Sequence, residues 1–201
     1  MKFSNRYIFL YISVLIIIIA GVLAVVSLTL RPRHGENRKG EKAAQILRAA
    51  GYGTLKAADA VALFDSVAAP LTGSDSERYT ILCADGDTGQ VFYVHGKGLW
   101  GPIWGYVVLA SDANTVKGVS FSHKSETPGL GAKIEEESFA KSFEGKKLHD
   151  MNGDFVSIAL TAQGKGDGRD EANRVDAISG ATITSKGVEK MLYDGLKEVV
   201  E

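Results

Sequence analysis

A short segment near the end of the chain combines hydroxyl groups with small side chains. Residues 176–185 read Asp-Ala-Ile-Ser-Gly-Ala-Thr-Ile-Thr-Ser, and the spacing of the apolar residues after them predicts that a helix begins here. The first N–H groups of a helix lack partners within it and lie at the positive end of its dipole, so they favour an anion such as a phosphate. Serine and threonine at a helix start are also ordinary caps. The residues alone therefore leave two interpretations open, a capped helix and a phosphate site.

Two upstream segments are further candidates for ligand contacts. Residues 126–131 read Glu-Thr-Pro-Gly-Leu-Gly, in which proline restricts the backbone and the glycines leave it open to close approach. Residues 96–106 interleave glycines with Trp100, Trp104 and Tyr106, whose rings could stack on a flat ligand. Each segment also has a plain structural interpretation, because the first is typical of a turn and the second of aromatic residues packed in a strand pair.

The overall composition argues against two classes of function. The chain has 23 Lys and Arg against 24 Asp and Glu, so its net charge of -1 gives no field that would attract nucleic acid. A single cysteine, Cys83, and four scattered histidines do not have the spacing of a metal site. We expect neither a nucleic-acid partner nor a metal ion bound by this chain alone.

The elements that must position these residues begin with a membrane segment. Residues 7–30 contain no charged side chain, and a helix of this length spans about 36 Å, more than the roughly 30 Å of a bilayer core. They predict one uncleaved transmembrane helix after a short tail at residues 1–6. Residues 31–42 are polar and basic, which predicts a juxtamembrane linker with affinity for lipid phosphates.

Residues 43–201 are expected to form one domain. Periodicity and turn residues predict helices near residues 41–50 and 57–67, and a later helix at 134–144. Strands are predicted at 79–83, 90–95, 103–110, 116–123 and 155–160, of which the first four form an antiparallel meander. The last helix has Val188, Met191, Leu192, Leu196 and Val199 on one face. The fold class is therefore α+β, a transmembrane helix followed by a curved antiparallel sheet packed by helices.

The segment from Asp176 to Thr182 resembles the flavinylation signature of the FMN-binding domain family, Asp-x-x-Ser-Gly-Ala-Thr in this chain. In that family a flavin transferase joins FMN to the final threonine through a phosphoester bond. The resemblance implies covalent FMN on Thr182, with Asp176 recognised by the transferase. Thr184 and Ser185 carry nearby hydroxyls that spacing alone does not exclude as attachment sites. Residues 126–131 resemble the loop that lies beside the flavin ring in relatives. The implied cofactor-binding residues are Trp100, Glu126, Thr127, Pro128, Gly129, Leu130, Gly131, Asp176, Ser179, Gly180, Ala181 and Thr182.

The segment at residues 96–106 is similar to the FMN-binding subunits of sodium-translocating NADH:quinone oxidoreductases. It resembles less the homologous subunits of ferredoxin:NAD oxidoreductase complexes, which are one alternative. A second alternative is a membrane-tethered flavin-binding module that passes no electrons. The resemblance implies a subunit that relays electrons from NADH towards quinone, coupled to sodium export, with other subunits as partners. Because no glycine-rich dinucleotide fingerprint is present, we expect no NADH site in this chain and no catalysis by it alone.

The charges around the transmembrane helix disagree with the resemblance about orientation. Lys2 and Arg6 precede the helix and five basic residues follow it closely, so the positive-inside rule favours a cytoplasmic domain. The family domain is instead extracytoplasmic, where the transferase works. We follow the resemblance and expect a periplasmic domain on the bacterial inner membrane.

Overall fold

The N-terminal half of the computed structural model is dominated by one helix. The structure describes residues 4–71, 78–162 and 168–200, without the side chains of residues 30–34 and 198–200. Helix α1, Asn5–Ala49, has 45 residues and includes the apolar stretch Asn5–Thr29, which is long and apolar enough to cross a membrane. The separate helix predicted from residue 41 is instead the last part of α1. The segment between them contains Pro32 and Gly35, which disfavour a helix and favour the predicted linker; in the structure the helix nevertheless continues through it.

A five-stranded antiparallel sheet forms the centre of the domain, with its strands in the order β1-β2-β3-β4-β5. The meander predicted from the sequence is confirmed, with boundaries that differ by at most two residues. The short edge strand before it is missed by the sequence patterns, because Pro70 is typical of a loop; proline is nevertheless tolerated in edge strands. The strands are β1 Ala68–Pro70, β2 Arg78–Leu82, β3 Thr88–Lys97, β4 Pro102–Leu109 and β5 Val116–His123.

The two faces of the sheet are covered by different helices. The end of α1 and helix α2, Ala57–Val67, pack on one face and enclose a cluster that includes Ile46, Leu47 and Ile81. The close approach of α1 to α2 requires Gly40, because a Cβ there would lie 2.6 Å from the Cβ of Ala57. The larger cluster lies on the other face, under the C-terminal helix. This places the membrane helix and the C-terminal helix on opposite sides of the sheet.

The region between the sheet and the C-terminal helix differs from its prediction. The helix predicted at 134–144 is divided into a 3₁₀ turn, Gly131–Glu135, and a short helix α3, Glu137–Lys141, because Glu136 has an extended backbone. The strand predicted at 155–160 is only β6, Ala159–Thr161, since Ser157 has a φ of 57° that a strand cannot contain. Strand β6 pairs in parallel with β7, Arg174–Asp176. Strand β7 leads directly into the segment that precedes the last helix.

Helix α4, Thr182–Val200, packs along β3 and closes the larger cluster. Its predicted apolar face is confirmed for Val188, Met191, Leu192 and Leu196, which are at most 1% exposed. The side chain of Val199 lies outside the described part of the chain. A Cβ on Gly187 would clash with the carbonyl oxygen of Lys97, so the helix lies directly against the end of β3. The first turn of α4 is thereby held beside the turn that joins β3 to β4.

Candidate functional site

The chain enters α4 through a tight turn. The N–H of Ala181 donates to the carbonyl of Ile178 at 3.0 Å, and Gly180 has a φ of 76°, which few residues other than glycine adopt. A Cβ at Gly180 would also lie 3.0 Å from Cδ2 of Leu130. Gly180 therefore provides the turn and lets residues 126–131 lie over it.

The hydroxyl groups in the first turn of α4 have different surroundings. The hydroxyl of Thr184 is buried and donates to Oε2 of Glu126 at 2.6 Å. Ser185 is buried as well; its hydroxyl donates to the carbonyl of Ala181 and accepts from the N–H of Ile178. Thr182 is exposed, and among the described residues no group is hydrogen-bonded to its side chain. Of these three hydroxyls, Thr182 alone is both accessible and uncommitted.

Residues 126–131 form a second turn beside the first. The N–H of Leu130 donates to the carbonyl of Thr127 at 3.1 Å, with Pro128 at the position that fixes φ and Gly129 at a φ of 76°. Thr127, Pro128, Gly129 and Leu130 are exposed. The turn predicted from this sequence is therefore present, and its apolar tip, Leu130, lies against the turn at Gly180.

Glu126 connects these turns to the loop between β3 and β4. It is only 4% exposed, and Oε1 accepts a hydrogen bond from the backbone N–H of Trp100 at 2.8 Å. Its other oxygen accepts the hydroxyl of Thr184, and its own N–H donates to Nδ1 of His123 at 3.2 Å. The two partners of the carboxylate lie 26 and 58 positions away along the chain. One buried carboxylate thus contacts all three segments singled out in the sequence.

Two glycines allow the segments to close around this carboxylate. A Cβ at Gly98 would lie 2.5 Å from Oε1 of Glu126. A Cβ at Gly131 would lie 2.5 Å from Oε2 and 2.7 Å from the hydroxyl oxygen of Thr184. Any larger residue would have to displace one of the two hydrogen bonds.

The environment of Glu126 favours its ionised form. Burial disfavours the charge, but it is outweighed by the hydrogen bonds from Thr184 and from the backbone N–H groups of Trp100 and Gly101, which hold the pKa of the carboxyl below its usual value. All three neighbours donate, and an ionised carboxylate can only accept. The ionised carboxylate therefore provides the acceptors that these three donors need.

Exposed apolar side chains occur on each of the converging segments. Trp100 is 68% exposed and Ile183 is 60% exposed, and Leu99 and Leu130 are each more than 40% exposed. Tyr106, an alternative for stacking, is buried in the cluster on the α1 side of the sheet, so it cannot reach this surface. We call Leu99, Trp100, Leu130 and Ile183 the apolar rim of the site.

The remaining predicted residues lie between the end of β7 and the start of α4. Asp176 is exposed at the end of β7, and Ser179 is exposed in the turn before α4, while Ala181 is buried. The structure thus brings together residues 126–131, residues 179–182 and Trp100. Sequence reasoning included Glu126 but missed its central position, because local composition does not show that its partners are distant along the chain.

Comparison with known proteins identifies relatives of this chain. The FMN-binding domain family model matches residues 98–197. The C subunit of the Na(+)-translocating NADH-quinone reductase of Neisseria meningitidis serogroup B is 43% identical over 115 residues, which are 57% of this chain and 43% of that protein. Its counterpart in Pseudomonas aeruginosa is 34% identical over 150 residues, which are 71% of this chain and 58% of that protein. The matches thus cover less than two thirds of the length of these relatives.

Two solved structures have the same fold. The crystal structure of the C subunit of the Na(+)-translocating NADH-quinone reductase from Parabacteroides distasonis has a TM-score of 0.76 and 35% identity, and the match covers 85% of this chain and 95% of that one. Shewanella oneidensis NqrC has a TM-score of 0.65 at 24% identity, covering 81% of this chain and 98% of that one. The expected α+β fold class is confirmed.

Proposed function

The chain belongs to the FMN-binding domain family that includes the C subunits of the Na(+)-translocating NADH-quinone reductases, and on this basis we propose that it is a membrane-anchored electron-transfer subunit that holds FMN covalently on Thr182. In the complex it relays electrons from NADH towards quinone, while sodium crosses in other subunits. The observation that carries the proposal is the exposed, uncommitted hydroxyl of Thr182 beside an apolar rim, with Thr184 and Ser185 both buried and hydrogen-bonded.

The position of Thr182 suits a phosphoester. Thr182 is the first residue of a 19-residue helix, so a phosphate on its hydroxyl lies at the positive end of the helix dipole. The nearest hydroxyls in the helix are occupied by Glu126 and by backbone groups, so they do not compete for attachment. The chain's own contribution is thus to present one hydroxyl in a place that favours an attached anion.

The apolar rim suits a flavin ring held at the surface. Trp100 offers an aromatic face. Ile183, which follows Thr182 in the chain, and Leu130, which lies against the turn at Gly180, offer aliphatic surface. Bound FMN supplies the capacity to take up and release electrons one at a time. A ring placed on an open rim stays accessible to redox partners, whereas a deep pocket would bury it.

The helix α1 supports a role next to the membrane. It runs without a break from its apolar stretch to the domain, where Gly40 is the first buried residue that the structure describes. The intervening residues 30–39 rise by about 15 Å along the helix, so the domain lies close to the bilayer surface. Arg38 and Lys39 are exposed near that surface, where they can contact lipid phosphates.

The orientation of the domain is part of the proposal. The extracytoplasmic placement rests on the family resemblance and on the need for the flavin transferase to reach Thr182, against the count of basic residues around the helix. Proteolysis of sealed cells tests it. The domain should be cleaved after the outer membrane is permeabilised; protection until the inner membrane is opened would reverse the orientation.

The attachment site is tested by intact mass of the full chain co-expressed with a flavin transferase. We expect the wild type to gain the mass of FMN less water and Thr182→Ala to gain nothing. Thr182→Ser keeps a hydroxyl at the same place and serves as the matched control. An adduct on Thr182→Ala would move the site to another hydroxyl, and an unmodified wild type would refute the proposed cofactor.

The electron-transfer role needs a separate measurement. In membranes that contain the whole complex, addition of NADH should reduce the flavin on this subunit at the rate of quinone reduction. A flavin that stays oxidised while NADH is consumed would identify a binding module without a redox role.

A further inference from the structure

The carboxylate of Glu126 is hydrogen-bonded to two segments outside its own turn. Its two oxygens are used in different directions, Oε1 towards the N–H of Trp100 and Oε2 towards the hydroxyl of Thr184. Removing the hydroxyl of Thr184 would take from the buried Oε2 the donor that the structure gives it. The carboxylate therefore joins the loop between β3 and β4 to the first turn of α4.

We propose that Glu126 is a positioning residue for FMN attachment, because its hydrogen bonds to Trp100 and Thr184 fix the apolar rim relative to the hydroxyl of Thr182. The inference rests on the proposed function for its role in attachment, whereas the coupling of the segments rests on the hydrogen bonds alone. Thr184 is two residues after Thr182 in the same helical turn, so fixing the first also fixes the second.

The arrangement leaves little freedom for the segments to move apart. Gly98 and Gly131 pack directly against the two carboxylate oxygens, and Leu130 lies over the turn at Gly180. Hydrogen bonds to an ionised acceptor are shorter and stronger than bonds between neutral groups. The charge on Glu126 is supported by its three donors, and the groups near it also include His123 and, beyond it, Glu135.

Thr184 offers the sharpest test, because two substitutions separate its hydroxyl from its shape. Thr184→Val keeps the branched side chain but removes the donor to Glu126. Thr184→Ser keeps the donor and loses only a methyl group. Both variants are made in the full chain in detergent, and Ile81→Val, in the cluster on the α1 side of the sheet, serves as a destabilised control.

The first measurement is hydrogen exchange without flavin. Thr184→Val should speed exchange of the backbone amides at residues 98–101, although that segment is not altered, whereas Thr184→Ser and Ile81→Val should not. Exchange at residues 98–101 that stays at the wild-type rate in Thr184→Val would overturn the coupling.

The second measurement is the initial rate of FMN attachment by a purified flavin transferase at a temperature where all variants are folded. We expect Thr184→Val to be slower by about ten-fold or more, and Thr184→Ser to stay within about two-fold of the wild type. An equal loss in Ile81→Val, or no loss in Thr184→Val, would overturn the positioning role. A wild type that accepts no flavin would refute the proposed function, and the exchange measurement would still decide whether Glu126 couples the segments.

Discussion

Replacing Gly131 by alanine tests whether the site is closed as tightly as the structure shows. The new Cβ would lie 2.5 Å from Oε2 of Glu126, 2.7 Å from the hydroxyl oxygen of Thr184 and 3.1 Å from the Cβ of Glu126. These distances are far below van der Waals contact, and the first two involve the partners of a single buried hydrogen bond. Gly131→Ala must therefore move Glu126, Thr184 or the loop itself.

The magnitude follows from two contributions. Overpacking a well-packed site costs about 1–3 kcal/mol of unfolding free energy. Loss or distortion of the hydrogen bond from Thr184 to the ionised Glu126 costs about 1.5–3 kcal/mol, and the two overlap because relieving the clash breaks the bond. We expect a total of roughly 3 kcal/mol, which lowers the Tm by about 6–12 °C for a chain of this size.

Gly129→Ala is the matched control, since it adds the same methyl group in the same turn. No heavy atom lies within 4 Å of the Cβ position at Gly129, so its cost comes from its φ of 76° alone and is about 1–2 kcal/mol. Denaturant unfolding of the full chain in detergent, followed by tryptophan fluorescence, compares the two variants. Equal losses, within about 0.5 kcal/mol, would refute the close packing around Glu126.

Two further predictions concern the rim and the charge at its base. Trp100→Ala should leave the unfolding free energy within about 0.5 kcal/mol of the wild type, because the side chain is 68% exposed. The same variant should raise the fluorescence of the attached flavin, because it removes a stacked quencher. Unchanged fluorescence would place the flavin ring elsewhere. The folded pKa of Glu126 is lowered, so the stability due to its ionisation is present above its unfolded pKa of about 4.3 and is lost as the pH falls through the folded pKa. The stability advantage of the wild type over Glu126→Gln, from urea unfolding, should therefore shrink as the pH falls below about 5, and a constant difference would contradict the assignment.

The sheet and the last helix were accessible to sequence reasoning because their signals are local. Alternating apolar residues and turn signals such as those at residues 85–89 define β2 to β5 within two residues. The apolar spacing from Val188 to Leu196 defines the buried face of α4. In both cases the apolar spacing that identifies the strand or helix also determines which of its side chains are buried in the core.

The differences arise where packing between distant segments decides the outcome. Glu136 lies within a run that is favourable for a helix, yet its backbone is extended and separates the 3₁₀ turn from α3. Phe139, in α3, and Phe143, just after it, both contact Phe121 in the core, so the broken helix still packs its aromatic side chains against the sheet. The burial of Glu126 is of the same kind, since its donors come from two other segments of the chain.

The choice among the hydroxyls of α4 follows from the helix period. Thr184 precedes Val188 and Leu192 by four and eight residues, so it lies on the same buried stripe and faces the protein. Thr182 is two residues earlier, a rotation of about 200°, which turns it away from that stripe and towards solvent. The periodicity that buries the core face of α4 therefore also exposes Thr182, and the buried Thr184 is left to hold the site through Glu126.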